Sequence, residues 1–248
     1  MKERLLGILD YITEKGDVSI DEIINRFHYS RSTVRRDIIE LERMGALTRS
    51  RGTVSAVIAT TREKHYLLRK EENIAGKEKI ASLCLNLLAE HKSVFIDGGT
   101  TALALCRLIP YSYKLTVITN GLENACVLLD KDMEDVIVAG GYTRQGSSAL
   151  IGEATVDFIK QFYADYCIIS SYGVDENEVY EASMQQSYVK KAMLSNSRVK
   201  ILLCDSTKFD RIYKYRLAGL SEFDYVICDK KPNDKYFSEN PLVKFIYP

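Results

Sequence analysis

The chain lacks the residue clusters and long apolar runs that mark several classes of protein. Its cysteines form no CxxC pair, and each lies in an apolar strand or helix pattern, so we expect reduced core residues. They stand at positions 84, 106, 126, 167, 204 and 228. The three histidines are far apart, whereas a metal site needs clustered ligands, so we predict neither a metal nor another cofactor. No stretch resembles a signal peptide or could span a membrane, which indicates a cytoplasmic protein.

An excess of either charge is also missing, because 34 lysines and arginines balance 34 aspartates and glutamates. A broadly basic protein that coats nucleic acid is therefore excluded, and any DNA-binding surface must be local. The chain has 248 residues, of which 46% are hydrophobic, and this suits two domains with substantial cores.

Residues 19–45 have the pattern of two short helices around a tight turn. Ser19 and Glu22 have the spacing of a capping box at the start of the first helix. The apolar residues of that helix lie on one face: Ile20, Ile23, Ile24 and Phe27. After an interruption at residues 28–29, Ser30 is placed to cap a second helix. The inward face of the second helix is formed by Val34, Ile38 and Leu41.

The start of the second helix carries five polar side chains that this packing leaves accessible. They are Arg31, Ser32, Thr33, Arg35 and Arg36. A recognition helix contacts bases with its N-terminal residues; arginine suits guanine edges, while serine, threonine and arginine suit phosphates. We therefore predict that these residues bind double-stranded DNA. The alternatives are a solvated arginine-rich face and a helix-turn-helix used only for protein interaction, which predicts no salt-dependent DNA affinity.

A short hairpin is predicted after this helix, over residues 46–57. Two β-compatible pieces flank Arg51-Gly52, and this arrangement adds Arg49 and Arg51 to the predicted DNA-binding residues. Over residues 26–51, seven arginines stand against three acidic residues. The positive charge is thus concentrated where phosphate would lie.

A further helix over residues 3–14, which stops at Gly16, completes a winged helix-turn-helix domain over residues 1–57. The polar, charge-mixed segment 58–73 is predicted as a linker, and a second domain follows over residues 74–248.

In the second domain, apolar runs alternate with segments of helical spacing. The predicted strands are Ser93–Ile96, Leu115–Thr119, Val136–Ala139, Tyr166–Ser170, Lys200–Cys204 and Tyr225–Cys228. Helices are predicted over residues 77–90, 101–109, 121–130, 153–163 and 184–196. Near-continuous apolar strands that alternate with helices indicate an α/β fold with a buried, mostly parallel sheet.

Polar and glycine-rich segments follow four of these strands and converge at the carboxyl edge of the predicted sheet, where parallel sheets bind ligands. They are Asp97-Gly98-Gly99-Thr100-Thr101, Thr119-Asn120, Gly140-Gly141 and Asp205-Ser206-Thr207-Lys208. The first segment suits a phosphate, because glycines allow close approach and the next helix offers N–H groups. Lys190 and Lys208 could supply a cation. The alternatives are turn glycines, solvated lysines and loop-bracing aspartates.

These residues resemble the DeoR, or DeoR/GlpR-type, family of bacterial transcriptional regulators over nearly the whole chain. The family's recognition segment is matched by Ser30-Arg31-Ser32-Thr33-Val34-Arg35-Arg36-Asp37-Ile38. The marks of its sensing domain follow in family order: Lys79-Ile80-Ala81, Gly99-Thr100-Thr101, Thr119-Asn120, Gly140-Gly141, Gly152, Lys190 before Ala192-Met193, and Asp205-Ser206-Thr207-Lys208-Phe209.

The resemblance implies a winged helix-turn-helix joined to a Rossmann-like, mostly parallel α/β domain that senses a sugar phosphate. It implies a repressor of a carbohydrate-metabolism operon that binds operator DNA as a dimer or higher homo-oligomer. Two segments depart from the family pattern. Arg51-Gly52-Thr53 replaces the usual His-Gly-Gly-Ala of the wing tip, and Tyr180–Gln186 lacks the usual glycine and threonines. The second departure leaves open an unusual effector or altered sensing.

The sensing domain of this family is similar to ribose-5-phosphate isomerase and coenzyme A transferase folds. The alternative function is therefore an isomerase-like enzyme with an accessory DNA-binding domain, although fold similarity alone confers no chemistry. Asp97, Asp205 or Glu181 could be nominated as its base, but no residue pattern couples any of them to an acid partner. We predict a regulator and not an enzyme.

Overall fold

The structure is a computed structural model that describes residues 3–50, 52–57, 65–144 and 146–248. The chain divides into two units, Met1–Glu71 and Glu72–Pro248. Among the described residues, the first unit has one hydrophobic core, and the second has two large cores, one on each face of a sheet, and a small cluster of three tyrosines.

The first unit contains the predicted winged helix-turn-helix. Its elements are α1 (Glu3–Lys15), β1 (Val18–Ser19), α2 (Ile20–Phe27), α3 (Arg31–Arg43), β2 (Leu47–Ser50), β3 (Thr53–Ala56) and α4 (Tyr66–Glu71). The capping box forms, since Ser19 Oγ accepts from Glu22 N at 3.1 Å and Glu22 Oε2 accepts from Ser19 N at 2.8 Å. His28, in left-handed backbone with a φ of 55°, ends α2 and begins the turn. The predicted helix pair is confirmed.

The wing is an antiparallel hairpin of β2 and β3, with Ser50 opposite Thr53 at its tip. Gly52 has a φ of 86°, which a two-residue hairpin turn favours. Arg51 lies outside the described residues. β1 pairs with the other edge of β3, so the wing is tied to the start of α2.

The predicted linker is shorter in the structure. Residues 58–64 lie outside the described part of the chain, while residues 66–71 form α4. Leu68 is buried in the core of the first unit, because one turn of helix brings this apolar residue against it. Tyr66, Leu67 and Leu68 form only a short apolar run between charged residues, so the sequence pattern did not reveal that contact.

The second unit has helices on both faces of a sheet. Its helices are α5 (Ile74–Leu85), α6 (Thr100–Leu108), α7 (Leu122–Leu129), α8 (Glu153–Ile159), α9 (Met184–Ser195) and α10 (Asp234–Glu239). Its strands are β4 (Ser93–Ile96), β5 (Thr116–Thr119), β6 (Asp135–Val138), β7 (Ala164–Ser170), β8 (Gly173–Val174), β9 (Glu178–Glu181), β10 (Ser197–Cys204), β11 (Tyr215–Gly219), β12 (Tyr225–Cys228) and β13 (Lys244–Ile246).

Seven strands form one sheet in the order β13-β12-β10-β7-β4-β5-β6, and all their pairings are parallel. Alternate residues of a strand face opposite sides. Phe95 faces a core shared with α8 and α9, whereas Val94 and Ile96 face a core shared with α5, α6 and α7. The predicted α/β fold is confirmed, and the burial of both faces explains the near-continuous apolar strands.

The sequence pattern missed several elements of the second unit. β8, β9 and β11 form a separate antiparallel sheet, and α10 and β13 follow the last predicted strand. β8 and β13 have two and three residues, too few for an alternation to register, whereas β9 and β11 are as long as strands that the pattern found. Two predicted helices also have different limits, since α5 covers Ile74–Leu85 and not 77–90, and α8 ends at Ile159 and not at 163.

The prediction of six core cysteines is wrong for one of them. Cys126 is exposed on α7, whereas the other five are buried, and all six are free thiols. Leu122 and Leu129 lie on the same outward face of α7 and are also exposed. An apolar helix stripe predicts burial, but this stripe faces away from the core.

Candidate DNA-binding helix and sensor site

The N-terminus of α3 carries a cluster of hydroxyls. Ser30 Oγ accepts from Thr33 N at 3.2 Å and lies 2.9 Å from the hydroxyl oxygens of Ser32 and Thr33. The cap therefore orients two of the predicted DNA-binding side chains. Because the helix dipole is positive at this end, it favours an anion such as a DNA phosphate.

Arg35 and Arg36 project from the exposed side of α3. Neither guanidinium forms an ion pair with a carboxylate in the part of the chain that the structure describes. Arg31 differs, because it pairs with Asp21 of α2. Both partners of that pair are more than half exposed, and exposed ion pairs contribute only about 0–1 kcal/mol, so a phosphate could replace the carboxylate at little cost.

The wing contributes Arg49 of β2, whose guanidinium pairs with Glu42 of α3. The hydrogen bond to this carboxylate raises the pKa of Arg49, which therefore stays charged. The predicted contact from Arg51 lies outside the described residues.

Asp37, the acidic residue of the recognition segment, is buried and faces the first helix. Arg4 donates from Nε to Asp37 Oδ2 at 2.5 Å and from Nη2 to Asp37 Oδ1 at 2.7 Å. The hydrogen bond to Asp37 is the main cause that raises the pKa of Arg4. This two-point contact fixes α1 against α3, and thereby the direction in which Arg35 and Arg36 project. Sequence reasoning missed Arg4, because nothing in its spacing from Asp37 marks the pair.

In the second unit, the predicted effector residues surround a reversal in strand order. β5 and β6 extend the sheet from β4 in one direction, whereas β10 and β12 extend it from β7 in the other. A parallel sheet has a crevice at such a point, beyond the carboxyl ends of the strands. Asp97 directly follows β4 and Ser170 ends β7, so these residues lie at the crevice.

A buried ion cluster joins the two sides of this crevice. Lys190 Nζ lies 2.9 Å from Asp97 Oδ2, donates to Ser170 O at 2.7 Å, and pairs with the Glu181 carboxylate. The side chains of Lys190, Asp97 and Glu181 are 5%, 2% and 0% exposed. Burial lowers the pKa of Lys190, but the Asp97 and Glu181 carboxylates more than offset this and raise it overall. Lys190 is therefore an ammonium ion.

The cluster changes the expected role of Lys190. An ammonium has three N–H donors, and here each has a protein oxygen within reach. No hydrogen of Lys190 remains for a phosphate in this arrangement. Glu181, which sequence reasoning did not place in the effector site, supplies the second carboxylate. Glu181 could have been found from its position in Tyr180–Gln186, the segment in which the chain departs from the family pattern.

The glycines after β4 are enclosed by protein atoms. A Cβ on Gly98 would lie 2.7 Å from the Ala149 Cβ, and one on Gly99 would overlap Ser170 Oγ. Gly99 precedes α6 without a side-chain cap, so the first N–H groups of α6 remain available to an anion. The loop thus keeps the anion-binding geometry, although its glycines also serve packing.

Thr119 and Asn120 fix this loop. Thr119 Oγ1 donates to Ile96 O at 2.7 Å. Asn120 Oδ1 accepts from Gly98 N at 2.9 Å, and Asn120 Nδ2 donates to Leu150 O at 2.9 Å. Both side chains are buried and bonded to backbone, so they position the strand ends.

The Gly140-Gly141 pair divides into two roles. Gly141 has a φ of 136°, and a Cβ there would overlap Thr155. Gly140 is exposed and has no atom within 4 Å of its Cβ position. Both glycines are exposed, but only Gly140 has an empty Cβ position, and its carbonyl accepts from Thr155 Oγ1 at 2.5 Å.

Asp205 and Lys208 lie in the loop after β10. Asp205 Oδ1 accepts from Thr207 N at 3.0 Å and from Asn73 Nδ2 at 3.4 Å. Burial raises the pKa of Asp205, but the Lys208 ammonium and the hydrogen bonds outweigh this and lower it overall. Lys208 Nζ lies 6.0 Å from the ring centroid of Tyr172, just after β7. The structure therefore brings Lys208 towards the same crevice as Asp97.

Three buried polar atoms near the crevice have no hydrogen-bond partner in the described part of the chain: Asn124 Oδ1, Ser148 Oγ and Ser171 Oγ. Asn124 Nδ2 donates to Asp97 O at 2.7 Å, and Ser171 follows Ser170 directly. Buried polar atoms are normally paired, so these atoms are candidates for contact with a ligand or water. Sequence reasoning missed all three, although each lies close to a predicted strand-end segment.

A separate groove of about 920 Å³ runs between α8 and α9 and contains Tyr142 and Tyr188. None of the predicted effector residues lines it. Within the ranges that the structure describes, no three His, Cys, Asp or Glu side chains gather as a metal site. Over the same ranges, no helix combines the length and apolar character needed to cross a membrane.

Both units match known domain families. Residues 4–60 match the DeoR-like helix-turn-helix domain, and residues 72–230 match the DeoR C terminal sensor domain. The chain is 32% identical to the glycerol-3-phosphate regulon repressor of Escherichia coli (strain K12), over 93% of this chain and 91% of that protein. It is 30% identical to the lactose phosphotransferase system repressor of Lactococcus lactis subsp. lactis, over 96% of this chain and 94% of that protein.

A third relative, the HTH-type transcriptional repressor GlcR of Bacillus subtilis (strain 168), is 29% identical over 95% of this chain and 91% of that protein. Among solved structures, ribose 5-phosphate isomerase A of Methanocaldococcus jannaschii aligns with 54% of each chain at 12% identity and a TM-score of 0.41. That likeness is too weak to bear on activity. Because both domains match and the relatives span them both, the chain belongs to the DeoR family of DNA-binding transcriptional regulators.

Proposed function

We propose that this regulator represses a carbohydrate-metabolism operon, and that a phosphorylated sugar or related metabolite controls its affinity for operator DNA. The observation that carries the proposal is the pair Arg35 and Arg36, exposed at the start of a helix that Arg4 and Asp37 brace from behind. The repressors of a glycerol-3-phosphate regulon and of a lactose phosphotransferase system among its relatives support the carbohydrate assignment.

The protein binds DNA as a dimer or higher homo-oligomer. Paired recognition helices then bind repeated half-sites together, because the symmetry of the protein matches that of the operator. Arg35 and Arg36 make most of the contact with DNA. Ser32, Thr33 and the guanidiniums of Arg31 and Arg49 contact the DNA phosphate backbone.

Fluorescence anisotropy with the DNA upstream of its own gene tests the DNA-binding role. Arg35→Ala and Arg36→Ala should each weaken binding, while Arg198→Ala, on an exposed arginine of β10, should not. Loss of a phosphate contact weakens all sequences and lowers the salt slope by about one, whereas loss of a base contact removes about 1–3 kcal/mol of discrimination. Unchanged binding by both α3 variants would show that the helix assignment is wrong.

The effector occupies the crevice between β4 and β7. The N-terminus of α6 and Lys208 hold its phosphate, Gly140 leaves room for it because its Cβ position is empty, and Lys190 holds Asp97 in place. A ligand shifts the DNA-binding equilibrium only if it prefers one state. For a typical coupling of about 1–3 kcal/mol, operator affinity changes roughly 5- to 150-fold.

The effector assignment is tested by repeating the anisotropy titration with glycerol 3-phosphate, glucose 6-phosphate and inorganic phosphate. Lys208→Ala should lose the response while operator affinity without ligand is kept. Lys230→Ala, at an exposed lysine after β12, serves as the control. A full response by Lys208→Ala would remove Lys208 from the site.

The rival function is a sugar-phosphate isomerase. Its base would have to be Asp97, Glu181 or Asp205. The first two carboxylates share the Lys190 ammonium, and the pKa of Asp205 is lowered, whereas an efficient base has a pKa near the working pH. Incubation with pentose and hexose phosphates separates the two: thermal stabilisation without turnover supports the sensor, and turnover supports the enzyme.

A further inference from the structure

Asn73 has an unusual backbone at the start of the sensor unit. It lies two positions after Glu71, where the DNA-binding unit ends, and it is the N-cap residue of α5. Its φ of 46° and ψ of 47° are left-handed, which is uncommon for residues other than glycine. Its side chain does not cap α5. The conformation therefore serves contacts elsewhere.

The amide of Asn73 reaches two buried carboxylates at the carboxyl edge of the sheet. Asn73 Nδ2 donates to Asp205 Oδ1 at 3.4 Å and to Asp229 Oδ2 at 3.3 Å. Both bonds are longer than the usual 2.9–3.0 Å, so a small movement of either carboxylate would break them. The amide also lies on Gly76, where a Cβ would stand 2.5 Å from Asn73 Nδ2. Gly76 thus leaves the space that the amide occupies.

The same two aspartates hold the loop that carries Lys208. Asp229 Oδ1 accepts from Ser206 N at 2.6 Å, and Asp205 O accepts from Lys208 N at 2.9 Å. Asp205 Oδ1 accepts from Thr207 Oγ1 at 2.5 Å, from Thr207 N at 3.0 Å and from the Asn73 amide at 3.4 Å. Any ligand that draws Lys208 or Asp205 to a new position therefore changes the hydrogen bonds of Asn73.

The backbone just before Asn73 is held from the other side. Lys77 Nζ donates to Glu72 O at 2.5 Å, and Lys77 N donates to Asn73 O at 3.0 Å. Lys77 is 5% exposed, so this bond lies in the interior of the sensor unit. The first two residues of the sensor unit are thus fixed to it by side chains.

We propose that Asn73 is the positioning residue that couples the effector site to the DNA-binding unit, through its amide bonds to Asp205 and Asp229. The proposal rests on the proposed function, because it needs an anionic effector at Lys208. Ligand binding shifts the Asp205 loop, the amide of Asn73 loses or gains its partners, and the exit angle of the chain at Glu72 changes.

The test uses the full-length protein and an Asn73→Gly variant, because glycine keeps the left-handed backbone and removes only the amide. Lys114→Gly is the matched control, since Lys114 is exposed and has almost the same backbone, with a φ of 47° and a ψ of 48°. Operator affinity is measured by anisotropy with and without glycerol 3-phosphate, glucose 6-phosphate and inorganic phosphate. Ligand affinity is measured separately by calorimetry.

In the wild type and in Lys114→Gly, the active compound should change operator affinity roughly 5- to 150-fold. In Asn73→Gly, that change should fall to within about twofold, while ligand affinity and unliganded operator affinity each stay near wild type. If Asn73 had only a structural role, its loss would weaken ligand affinity and operator affinity together, and the ligand response would not be lost by itself. Asp229→Asn, which keeps the shape of the partner, should show a partial loss of the ligand response.

An undiminished ligand response in Asn73→Gly would overturn the inference and leave the proposed function standing. If Asn73→Gly does not fold, a wild-type response in Asp229→Asn overturns it instead. A wild type whose operator affinity none of the three compounds alters would overturn the proposed function, and the inference with it.

Discussion

At the residue scale, the candidate effector site is organised by charges that lie inside the protein. Lys190 is a single ammonium between Asp97 and Glu181, and the three side chains are nearly inaccessible. Buried charges persist only when they are paired, because desolvation of an isolated ion is costly. The cluster is therefore an ion-pair network that connects the two sides of the β4–β7 crevice, and its stability depends on the presence of all three members.

Replacement of Lys190 by methionine should destabilise the protein strongly. Lys190→Met leaves two buried carboxylates without a counter-ion, and breaking a buried pair in this way costs about 3–5 kcal/mol. Urea unfolding measures the free energy of unfolding, with Lys191→Met, an exposed neighbour on α9, as the control. We expect the control to stay within about 0.5 kcal/mol of wild type. Equal stability of the two variants would contradict a stabilising role for this ion-pair network.

Asp205 should give the protein an acid-sensitive contribution to stability. Because its pKa is lowered in the folded state, its ionised form stabilises the fold fully above its unfolded pKa of about 3.9. That contribution is lost as the pH falls through the lower folded-state value. Unfolding of wild type and Asp205→Asn should therefore differ by a constant free energy from about pH 7 to 5, and the gap should narrow at lower pH. A gap that widens in acid would speak against an ionised Asp205.

At the element scale, the strand-to-helix loops carry the site, and their glycines are not equivalent. Gly98 lies against Ala149 in the β4–α6 loop, whereas Gly140 after β6 faces open space. The sequence pattern treats both as glycines that let a phosphate approach. Their surroundings separate a packing role from an accessible one.

Alanine at these two glycines should therefore have different effects on stability. Gly98→Ala places a Cβ 2.7 Å from that of Ala149, and overpacking of this kind costs about 1–3 kcal/mol. Gly140→Ala meets no atom within 4 Å, so we expect a change of no more than about 0.5 kcal/mol. Thermal unfolding of both variants provides the comparison. The packing role of Gly98 would be refuted if its variant were as stable as that of Gly140.

At the scale of the whole molecule, the chain contains a DNA-binding domain and a sensor domain in consecutive units, Met1–Glu71 and Glu72–Pro248. One recognition helix contacts only one half-site, so the proposed repressor needs a second copy to gain affinity and specificity. The electrically neutral chain, with arginines concentrated in residues 26–51, fits selective over general DNA binding.

The paired arrangement predicts a dependence on half-site spacing. Insertion of about 5 base pairs between the operator half-sites turns one half-site to the opposite face of the duplex, whereas about 10 base pairs restores the face. Operator affinity, measured by anisotropy at one salt concentration, should fall with the first insertion and recover largely with the second. Equal affinity for all three DNAs would indicate binding by single copies.

Much of the fold was predictable, because its signals are local. The capping box of Ser19 and Glu22 and the cap at Ser30 involve residues three positions apart. The buried strands are recognised in the sequence as apolar runs. The site was predictable only as a set of strand ends, since parallel strands bring such ends to one edge. The role of each side chain in the site was not predictable, because the partners of Lys190 come from three other segments of the chain.

The sequence by itself determined the two-domain plan, the helix-turn-helix with its arginines, and the parallel sheet, since capping and periodicity act within a few residues. Only the tertiary structure decided that Asp37 binds Arg4, that Lys190 is enclosed by Asp97 and Glu181, and that Asn73 bonds to Asp205. Members of such groups are far apart along the chain. Which of them meet depends on how the elements pack, because burial of a charge requires whichever partner the packing brings within hydrogen-bond distance.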